Sequence, residues 1–384
     1  MTSAAERRSR LLSLAFVAFL VAIVGVGVVI GRAAQRAVLE SQAGSISEYS
    51  LDPTEPGFRA FTTATPTALV LHTAVAAGDG ATLVGATLLA AGDEQSGGAV
   101  VTIPATFFDL EHSERTLAEI FQQDGLDATT NALRASLRVD FSDLVVLDAS
   151  AWTTLMAEDL PLQFTLREDL VRDIDGQREV VLESGTRAFN LVEVARLASH
   201  RNPDEPSLRV ALRQQQIWQS WIARTAGADE RPELFGIGAG FVDLIDSLAN
   251  GEVAYRVVPT QTRPGTDEAT TAYEADADGI AELISLVIPF PEITDGGDRP
   301  AVLLVDTSSG EVDQRPLVSA IVREGAHVTI IGNAGEGAER RTEVQLHDRA
   351  AGQVAQDIAD ALDAPDPVYI DVEDATTAIT VLVG

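Results

Sequence analysis

The feature that most constrains this chain is an uncharged apolar run near its beginning. Residues 11–30 read LLSLAFVAFLVAIVGVGVVI, in which Ser13 is the one polar side chain. At about 1.5 Å per residue, a helix of this length spans about 30 Å, the thickness of the hydrocarbon core of a bilayer. The run therefore predicts a single transmembrane helix over 11–30, with residues 1–10 as a short cytoplasmic tail.

Arginines flank this run on both sides: Arg7, Arg8 and Arg10 precede it, and Arg32 and Arg36 follow it. By the positive-inside rule, the small excess before the run favours a cytoplasmic N-terminus and an extracytoplasmic remainder. The alternative is a cleaved signal peptide, whose apolar stretch is usually about 7–15 residues long and ends at small residues. The run is longer than that and an arginine follows it closely. We therefore expect a retained single-pass anchor in the cell membrane.

Composition excludes several classes of function. The 58 acidic residues outnumber the 27 basic ones, and the formal net charge is −31. A nucleic-acid partner is not expected, because binding to phosphates needs clustered basic residues. All the basic residues are arginines, which excludes a Schiff-base lysine and a P-loop lysine. The chain also has no cysteine, so disulfides, thiolate catalysis and iron–sulfur clusters are excluded.

Two breaks in the pattern divide the remainder of the chain. Residues 31–59 lack periodicity and are interpreted as a stalk. From residue 60 to 291, apolar runs such as TALVLHTAV, ATLVGATLLAA and GAVVTIP predict buried strands, and helical stretches alternate with strands further on. Residues 292–299 are rich in Gly and Asp and form the predicted linker, and 300–384 repeat the alternation. The predicted fold class is α/β in both domains, behind one transmembrane helix.

Capping residues predict where three of the helices begin. Ser113 precedes the stretch ERTLAEIFQQ, and Asp127 precedes ATTNALRASLRV. These two positions predict two separate helices, since Ser and Asp accept hydrogen bonds from N–H groups in a helix's first turn. The run around Asp278 imitates half of an EF-hand loop but lacks the final glutamate, so we interpret Asp278 as the cap of a helix that begins at Gly279.

Four arginines within a short stretch are candidate anion-binding residues: Arg196, Arg201, Arg209 and Arg213. One guanidinium group can donate two parallel hydrogen bonds to two oxygens of a phosphate, so a cluster of arginines suits a phosphate or pyrophosphate. The alternative is a set of surface ion pairs with Glu193, Asp204 and Glu205, and spacing alone leaves both open. The five histidines are far apart in the sequence and predict no metal site.

The order of these features resembles the LytR-CpsA-Psr family of bacterial envelope proteins. The stretches that carry the resemblance are Val101–Asp109, Leu137–Met156, Leu208–Ile222 and VIPFP at 287–291. The segments AVLLVDTSSG, GAHVTIIGNA and ITVLVG resemble a small LytR-type C-terminal domain over 300–384. The resemblance implies an N-terminal membrane helix followed by an extracytoplasmic α/β catalytic domain. Family enzymes transfer glycopolymers from a polyprenyl-pyrophosphate carrier to peptidoglycan, with arginines on the pyrophosphate and aspartates on magnesium.

The family's first motifs are replaced in this chain. Where members have Ser-Ile-Pro-Arg-Asp, the sequence reads Thr102–Thr106, so that Ala105 and Thr106 stand in place of the arginine and the aspartate. The Asp-Ser-Arg that follows the first strand is replaced near His72, and the later Arg-x-Asp-Thr is replaced near residues 81–84.

The later motifs are retained only in part. The Tyr-x-Arg-x-Arg pattern falls on Leu191, Glu193 and Ala195. The Arg-x-x-Arg-Gln pattern has Val210 at its first arginine, and Arg209 is one place out of register. The residues that carry over are Arg213, Gln214 and Gln215.

These losses decide the functional expectation. A departing pyrophosphate must be stabilised by cations or donors placed on its developing charge. With most of those groups replaced, we expect a non-catalytic envelope protein that binds lipid-linked glycans, peptidoglycan glycans or an envelope protein, with no cofactor. The alternative is a divergent glycopolymer phosphotransferase whose arginines have moved; it would use Mg²⁺.

Overall fold

The computed structural model describes residues 55–384 except for 76–79, 93–96, 109–113, 157–160, 175, 227–238, 264–270, 293–298, 309, 336 and 373–374. One part of the predicted fold class is corrected. The described elements form a mixed α/β fold, but none of the described helices is both long enough and apolar enough to cross a membrane. The long helices Leu117–Leu137 and Ser207–Thr225 are amphipathic rather than apolar throughout. The run at 11–30, on which the membrane prediction rested, lies outside the described residues.

The described strands are, in chain order, β1 (Arg59–Phe61), β2 (Thr67–Val75), β3 (Ala81–Ala91), β4 (Gly98–Pro104), β5 (Phe107–Phe108), β6 (Asp143–Leu147), β7 (Leu162–Leu166), β8 (Leu170–Ile174), β9 (Gln177–Leu182), β10 (Gly185–Phe189), β11 (Val253–Val257), β12 (Thr260–Thr262), β13 (Tyr273–Ala275), β14 (Ala301–Asp306), β15 (His327–Asn333), β16 (Glu343–Leu346), β17 (Val368–Tyr369) and β18 (Ile379–Val383). The described helices are α1 (Leu117–Leu137), α2 (Ala149–Leu155), α3 (Leu191–Ser199), α4 (Ser207–Thr225), α5 (Ala239–Ala249), α6 (Ala277–Val287), α7 (Gln314–Arg323) and α8 (Gly352–Ala361).

The first sheet holds five strands in the order β11-β4-β3-β2-β6. Strand β3 is antiparallel to both of its neighbours, whereas β2 and β6 are parallel, as are β4 and β11. The inner strands are buried on both faces, which explains why their sequences are continuous apolar runs rather than alternating ones. Their bounds confirm the three strands predicted from TALVLHTAV, ATLVGATLLAA and GAVVTIP.

Helices cover both faces of the first sheet. On one face, Leu71 and Ile103 belong to an apolar cluster that includes Leu133 of α1 and Ile284 of α6. On the other face, a second cluster joins the sheet to α2, α3, α4 and α5 through large side chains, among them Trp152 and Trp218. The candidate site described below lies on this second face.

The second sheet has six strands in the order β1-β15-β14-β18-β16-β17. Helices α7 and α8 pack on it through Ile321 and Ile358, which belong to the same apolar cluster as Leu71 of the first sheet. Strand β1 supplies an edge to this sheet by pairing with β15, although its residues straddle the predicted boundary between the stalk and the first domain. Most of the predicted linker lies outside the described residues, and the division at 292–299 stays a prediction.

Two helix starts differ from those predicted. Residues 117–137 hold two helical segments that meet at a kink at Gly125 (φ 85°), in agreement with the two helices predicted there. The first segment is capped by Thr116, in a capping box with Glu119, rather than by Ser113, and Asp127 lies two residues after the kink. Helix α6 begins two residues earlier than predicted, because Asp276 rather than Asp278 accepts the hydrogen bond from the N–H of Gly279.

Candidate functional site at the carboxyl edge of the first sheet

The structure brings together positions at or next to those where the family motifs are replaced in this chain. His72 on β2 is paired with Gly85 on β3, and Gly85 is paired in turn with Pro104 on β4. Helix α4 crosses this row so closely that a Cβ on Gly85 would lie 2.5 Å from Oε1 of Gln214. Ligand sites of α/β sheets commonly lie at the carboxyl ends of the parallel strands. His72 and Pro104 lie toward the carboxyl ends of β2 and β4, at that edge of the sheet.

His72 occupies the interior of this region as a neutral group. Its Nε2 lies 2.8 Å from the hydroxyl of Thr87, and its ring stacks on Trp152 with 5.5 Å between the centroids. Trp218 packs against Trp152 at 5.1 Å. Burial lowers the pKa of His72 to about 3. The imidazole therefore carries no charge at neutral pH, and it offers no cation to an anionic ligand.

The interior also holds polar atoms that have no hydrogen-bond partner among the described residues: Nδ1 of His72, Nε1 of Trp152, Nε1 of Trp218 and Oε1 of Gln214. These atoms are buried and neutral. Each such atom costs about 1–3 kcal/mol of folding free energy when it stays unpaired. The region is therefore a desolvated aromatic core, with none of the clustered charge that a pyrophosphate requires.

Ala105 and Thr106 show what replaces the family's arginine and aspartate. The methyl group of Ala105 is buried, with 1% of the residue exposed. The hydroxyl of Thr106 contacts the hydroxyl of Ser207 at the start of α4 and donates a hydrogen bond to the carbonyl of Thr271 (2.9 Å). Both positions are thus committed to packing and to local hydrogen bonds.

Arg213, the one arginine matched to a family motif, is buried and fully engaged with protein groups. Its Nε donates to the carbonyl of Leu197 (2.9 Å), its Nη2 donates to the carbonyl of His200, and its Nη1 forms an ion pair with Glu205. Leu197 lies in the last turn of α3, and His200 is its C-terminal cap. A cation at this position stabilises the exposed carbonyls of a helix end. Arg213 therefore fastens α3 to α4.

The neighbouring glutamines have comparable roles. Nε2 of Gln214 donates to the carbonyl of Ala198, and Nε2 of Gln215 donates to the carbonyl of Arg256 on β11, both at 2.8 Å. The structure thus brings Gln214 to the motif region but directs its amide group toward α3. All three family-matched residues bind backbone carbonyls.

The other predicted arginines do not converge on one pocket. Arg209 is exposed and forms an ion pair with Glu168. Arg196 is exposed on α3. Arg201 is half-buried, and its Nε donates to the carbonyl of Glu205 (2.8 Å). Burial lowers the pKa of Arg201, against the opposing influence of Glu205 and Tyr273.

A cleft of about 240 Å³ lies at the start of α4, and Arg209 is the one predicted arginine among its described lining residues. Four of its described lining residues carry carboxylates, namely Glu168, Asp169, Asp204 and Glu205. Arg178 also lines it and is paired with Asp204. Negative charge is in excess in this cleft, which disfavours an anion there.

The sequence offered Glu193, Asp204 and Glu205 as ion-pair partners of the predicted arginines. Of these three, Glu205 is the one that forms a buried ion pair with such an arginine, Arg213. Asp204 pairs with Arg178, and Glu193 pairs with Arg187. The buried centre around His72 was not predicted, because a lone histidine in an apolar strand gives no periodic signal. Among the residues that the structure describes, no three acidic or histidine side chains are grouped as metal ligands.

Comparisons with known proteins give structural neighbours but no sequence match. No protein-family model matches the chain, and no curated protein does. TagT of B. subtilis is 13% identical, with 64% of this chain and 94% of that chain covered and a TM-score of 0.43. TagV of B. subtilis is 12% identical, with 59% and 97% covered and a TM-score of 0.44. A LytR-CPS2A-psr family protein, YwtF (TagT) with bound octaprenyl pyrophosphate lipid, is 13% identical, with 64% and 93% covered and a TM-score of 0.42. The structural neighbours are thus proteins of the family that the sequence resembles.

Proposed function

We propose that this chain is a non-catalytic protein of the bacterial cell envelope that binds its ligand and does not transfer a glycopolymer. The observation that carries the proposal is the state of Arg213. Its guanidinium donates to two backbone carbonyls and to the carboxylate of Glu205, with 8% of the residue exposed. Each of the three guanidinium nitrogens is thus already engaged with a protein group, and the charge is paired with Glu205 rather than directed at a pyrophosphate.

The energetic argument concerns the leaving group. Removing a single donor from a site that stabilises developing negative charge costs about 3–4 kcal/mol of transition-state stabilisation. Here Ala105, Thr106 and the neutral His72 stand where the family's charged motifs lie, so several such contributions are missing together. Loss of two of them would slow transfer by about 10⁴-fold or more. We expect neither transfer nor a requirement for Mg²⁺.

We propose that the ligand is a glycan, either lipid-linked or part of the cell wall. An envelope protein is the alternative binding partner. TagT has been solved bound to LIIa-WTA, and YwtF with octaprenyl pyrophosphate lipid. The polar groups of Thr106 and Gln215 in the motif region are neutral, and each already donates a hydrogen bond to a protein carbonyl. Neutral donors and acceptors suit sugar hydroxyls better than phosphates. An extracytoplasmic location is part of the proposal and rests on the family resemblance. The LytR-type domain over 300–384 likewise stays a prediction.

The test is a transfer assay on the purified full chain. The protein is given a polyprenyl-pyrophosphate-linked glycan, a peptidoglycan acceptor and Mg²⁺, and the released polyprenyl phosphate is quantified. Arg209→Ala removes an exposed arginine of the cleft, and Arg196→Ala removes an exposed candidate arginine on α3. We expect no turnover above the protein-free blank for any of the three proteins.

The divergent transferase makes the opposite prediction. Mg²⁺-dependent turnover by the wild-type chain would refute the proposal, and its loss in Arg209→Ala or in Arg196→Ala would indicate a rebuilt site. A parallel binding measurement uses a neutral wall-glycan fragment at low and high salt. Binding of this neutral fragment at both salt concentrations supports recognition through neutral groups, and absence of binding counts against a glycan ligand.

A further inference from the structure

A second cleft, of about 600 Å³, lies on the sheet β1-β15-β14-β18-β16-β17, and none of its described lining residues comes from the first sheet. The side chains of β14 alternate between the two faces of this second sheet. Val302 and Leu304 pack in the apolar cluster that holds α7 and α8, whereas Leu303 and Val305 join Leu382 of β18 in a small separate cluster. The cleft lies on the face of this small cluster, and its three aliphatic side chains form the floor.

The rim of this cleft is polar and carries little charge. Amide, imidazole and hydroxyl groups line it, among them those of Gln345, His347, Thr376 and Thr380. Arg59 is the one arginine among the described lining residues, and none of these residues carries a carboxylate. In a chain with 58 acidic residues, this cleft is therefore a surface that is unlike the acidic cleft at the start of α4.

Hydrogen bonds hold the polar groups of the rim in defined orientations. Nε2 of Gln345 donates to Oε1 of Glu343 (2.7 Å), which leaves the amide oxygen of Gln345 as an acceptor for a ligand. Nδ1 of His347 lies 3.2 Å from the carbonyl oxygen of Ile370, and its Nε2 lies 3.0 Å from the hydroxyl of Thr380. Because a carbonyl can only accept, Nδ1 carries a proton, and the hydroxyl of Thr380 is fixed beside the floor. Groups that are already ordered lose little conformational freedom when a ligand binds.

The dimensions of the cleft favour a short chain molecule over a single ion. It crosses five adjacent strands, from Arg59 on β1 to Gln345 on β16. Adjacent strands lie about 4.8 Å apart, so the cleft extends over about 19 Å. Its volume of about 600 Å³ is in the range of sites that bind small organic ligands. A phosphate ion would occupy a small part of this space.

We propose that this cleft binds a neutral, N-acetylated oligosaccharide. The C–H faces and acetamide methyl groups of such a sugar match the aliphatic floor, and its hydroxyl and amide groups match the donors and acceptors of the rim. The net charge of −31 repels anions but not a neutral ligand. This inference rests on the proposed function, because it gives the glycan a binding site, and it locates that site on the second sheet.

The experiment is isothermal titration calorimetry of the full chain with N-acetylchitotetraose. Gln345→Met removes the amide and leaves a side chain of similar length. Gln353→Met is the matched control, because it makes the same change on α8, which packs on the other face of the sheet. We expect the apparent Kd of Gln345→Met to be at least about tenfold weaker than that of the wild-type chain, and that of Gln353→Met to be unchanged.

A second variant leaves the strands untouched. Thr376 is exposed and lies before the start of β18, so Thr376→Arg places a long side chain at the opening of the cleft without changing the sheet. We expect this variant to lose binding while its thermal unfolding midpoint stays at the wild-type value. It decides the test if Gln345→Met fails to fold. Cellotetraose, which has the same number of sugar units but no acetamide groups, should bind the wild-type chain at least about fivefold more weakly than N-acetylchitotetraose.

The outcomes separate this inference from the proposed function. Wild-type affinity in Gln345→Met and in Thr376→Arg would overturn the cleft as the site and leave the proposed function standing. Absence of binding by the wild-type chain, or displacement of the sugar by inorganic phosphate at constant ionic strength, would overturn the ligand class. Mg²⁺-dependent turnover in the transfer assay would instead refute the proposed function, and that result does not depend on the cleft.

Discussion

Replacing His72 by phenylalanine should remove a large part of the pH dependence of this protein's stability. The phenyl ring keeps the stack on Trp152 but does not titrate. In the folded chain burial lowers the pKa of His72 from 6.5 to about 3. Between these two values the unfolded chain binds a proton that the folded chain does not. The contribution of the neutral imidazole is therefore complete above about pH 6.5 and is lost as the pH falls toward 3.

The size of the effect follows from the width of this window. Each pH unit inside it costs about 1.4 kcal/mol of the free energy of unfolding. At pH 5 the wild-type chain should have lost about 2 kcal/mol through His72, and near pH 3 about 5 kcal/mol. Burial also lowers the pKa of His327, and carboxylates add their own dependence at low pH. The difference between the variant and the wild-type chain isolates His72 from these groups.

The assay is urea unfolding at pH 7.5, 6 and 5, monitored by far-UV circular dichroism. Tryptophan fluorescence is not used, because the tryptophans stacked near His72 would respond to the substitution itself. His72→Phe loses the hydrogen bond to Thr87, which lowers its stability by a similar amount at every pH. Thr87→Val is the matched control, since it loses the same bond but keeps the imidazole and the pH slope. If the gap between His72→Phe and the wild-type chain stays constant from pH 7.5 to pH 5, the imidazole is not buried as a neutral group and the reasoning fails.

Three further substitutions test contacts that hold the fold together, each by urea unfolding at neutral pH. Arg213→Met should cost about 3–5 kcal/mol because it leaves the carboxylate of Glu205 buried without its cation, and the double variant with Glu205→Met should cost less than the sum of the two single changes. Arg299→Met should lower the free energy of unfolding by about 2–3 kcal/mol, because this guanidinium donates to the carbonyls of Arg138, after α1, and Val322, in the last turn of α7. Burial lowers the pKa of Arg299 to about 10, and little water can reach these carbonyls to replace the lost hydrogen bonds. Gly98→Ala should cost about 2–4 kcal/mol, since the new Cβ would lie 2.1 Å from the carbonyl oxygen of Ala90 and φ is 149°; stability equal to wild type would show that the strand shifts freely.

The strands of the first sheet were the part of the fold most open to prediction. Runs of apolar and β-branched residues between Gly and Asp turns gave the bounds of β2, β3 and β4, because an inner strand covered on both faces needs such a run. Helix starts were less secure. A sequence with several acidic or hydroxyl residues near a start offers several caps, and in the structure the capping hydrogen bonds are made by Thr116 for α1 and by Asp276 for α6.

Strand β1 could not be predicted, for a different reason. It has three residues, and its pairing partner β15 lies more than 260 positions further along the chain. So short an element has no periodic signal of its own, and its conformation comes from the hydrogen bonds offered by a distant strand. The predicted boundary between residues 59 and 60 therefore cuts through this strand, and nothing in its sequence indicated that it pairs with β15.

The arginines show why a matched residue does not by itself predict a matched function. Arg213 stands where the family motif has an arginine, and from the sequence it was the strongest candidate ligand residue. In the structure its donors are directed at Leu197, His200 and Glu205. A guanidinium near a helix end and a carboxylate stabilises the fold whether or not a ligand is bound. The presence of Arg213 is therefore explained by its role at the junction of α3 and α4. The charge of the region is decided by neighbours whose positions could not be predicted from the sequence, namely a neutral histidine, buried tryptophans and the carboxylate of Glu205.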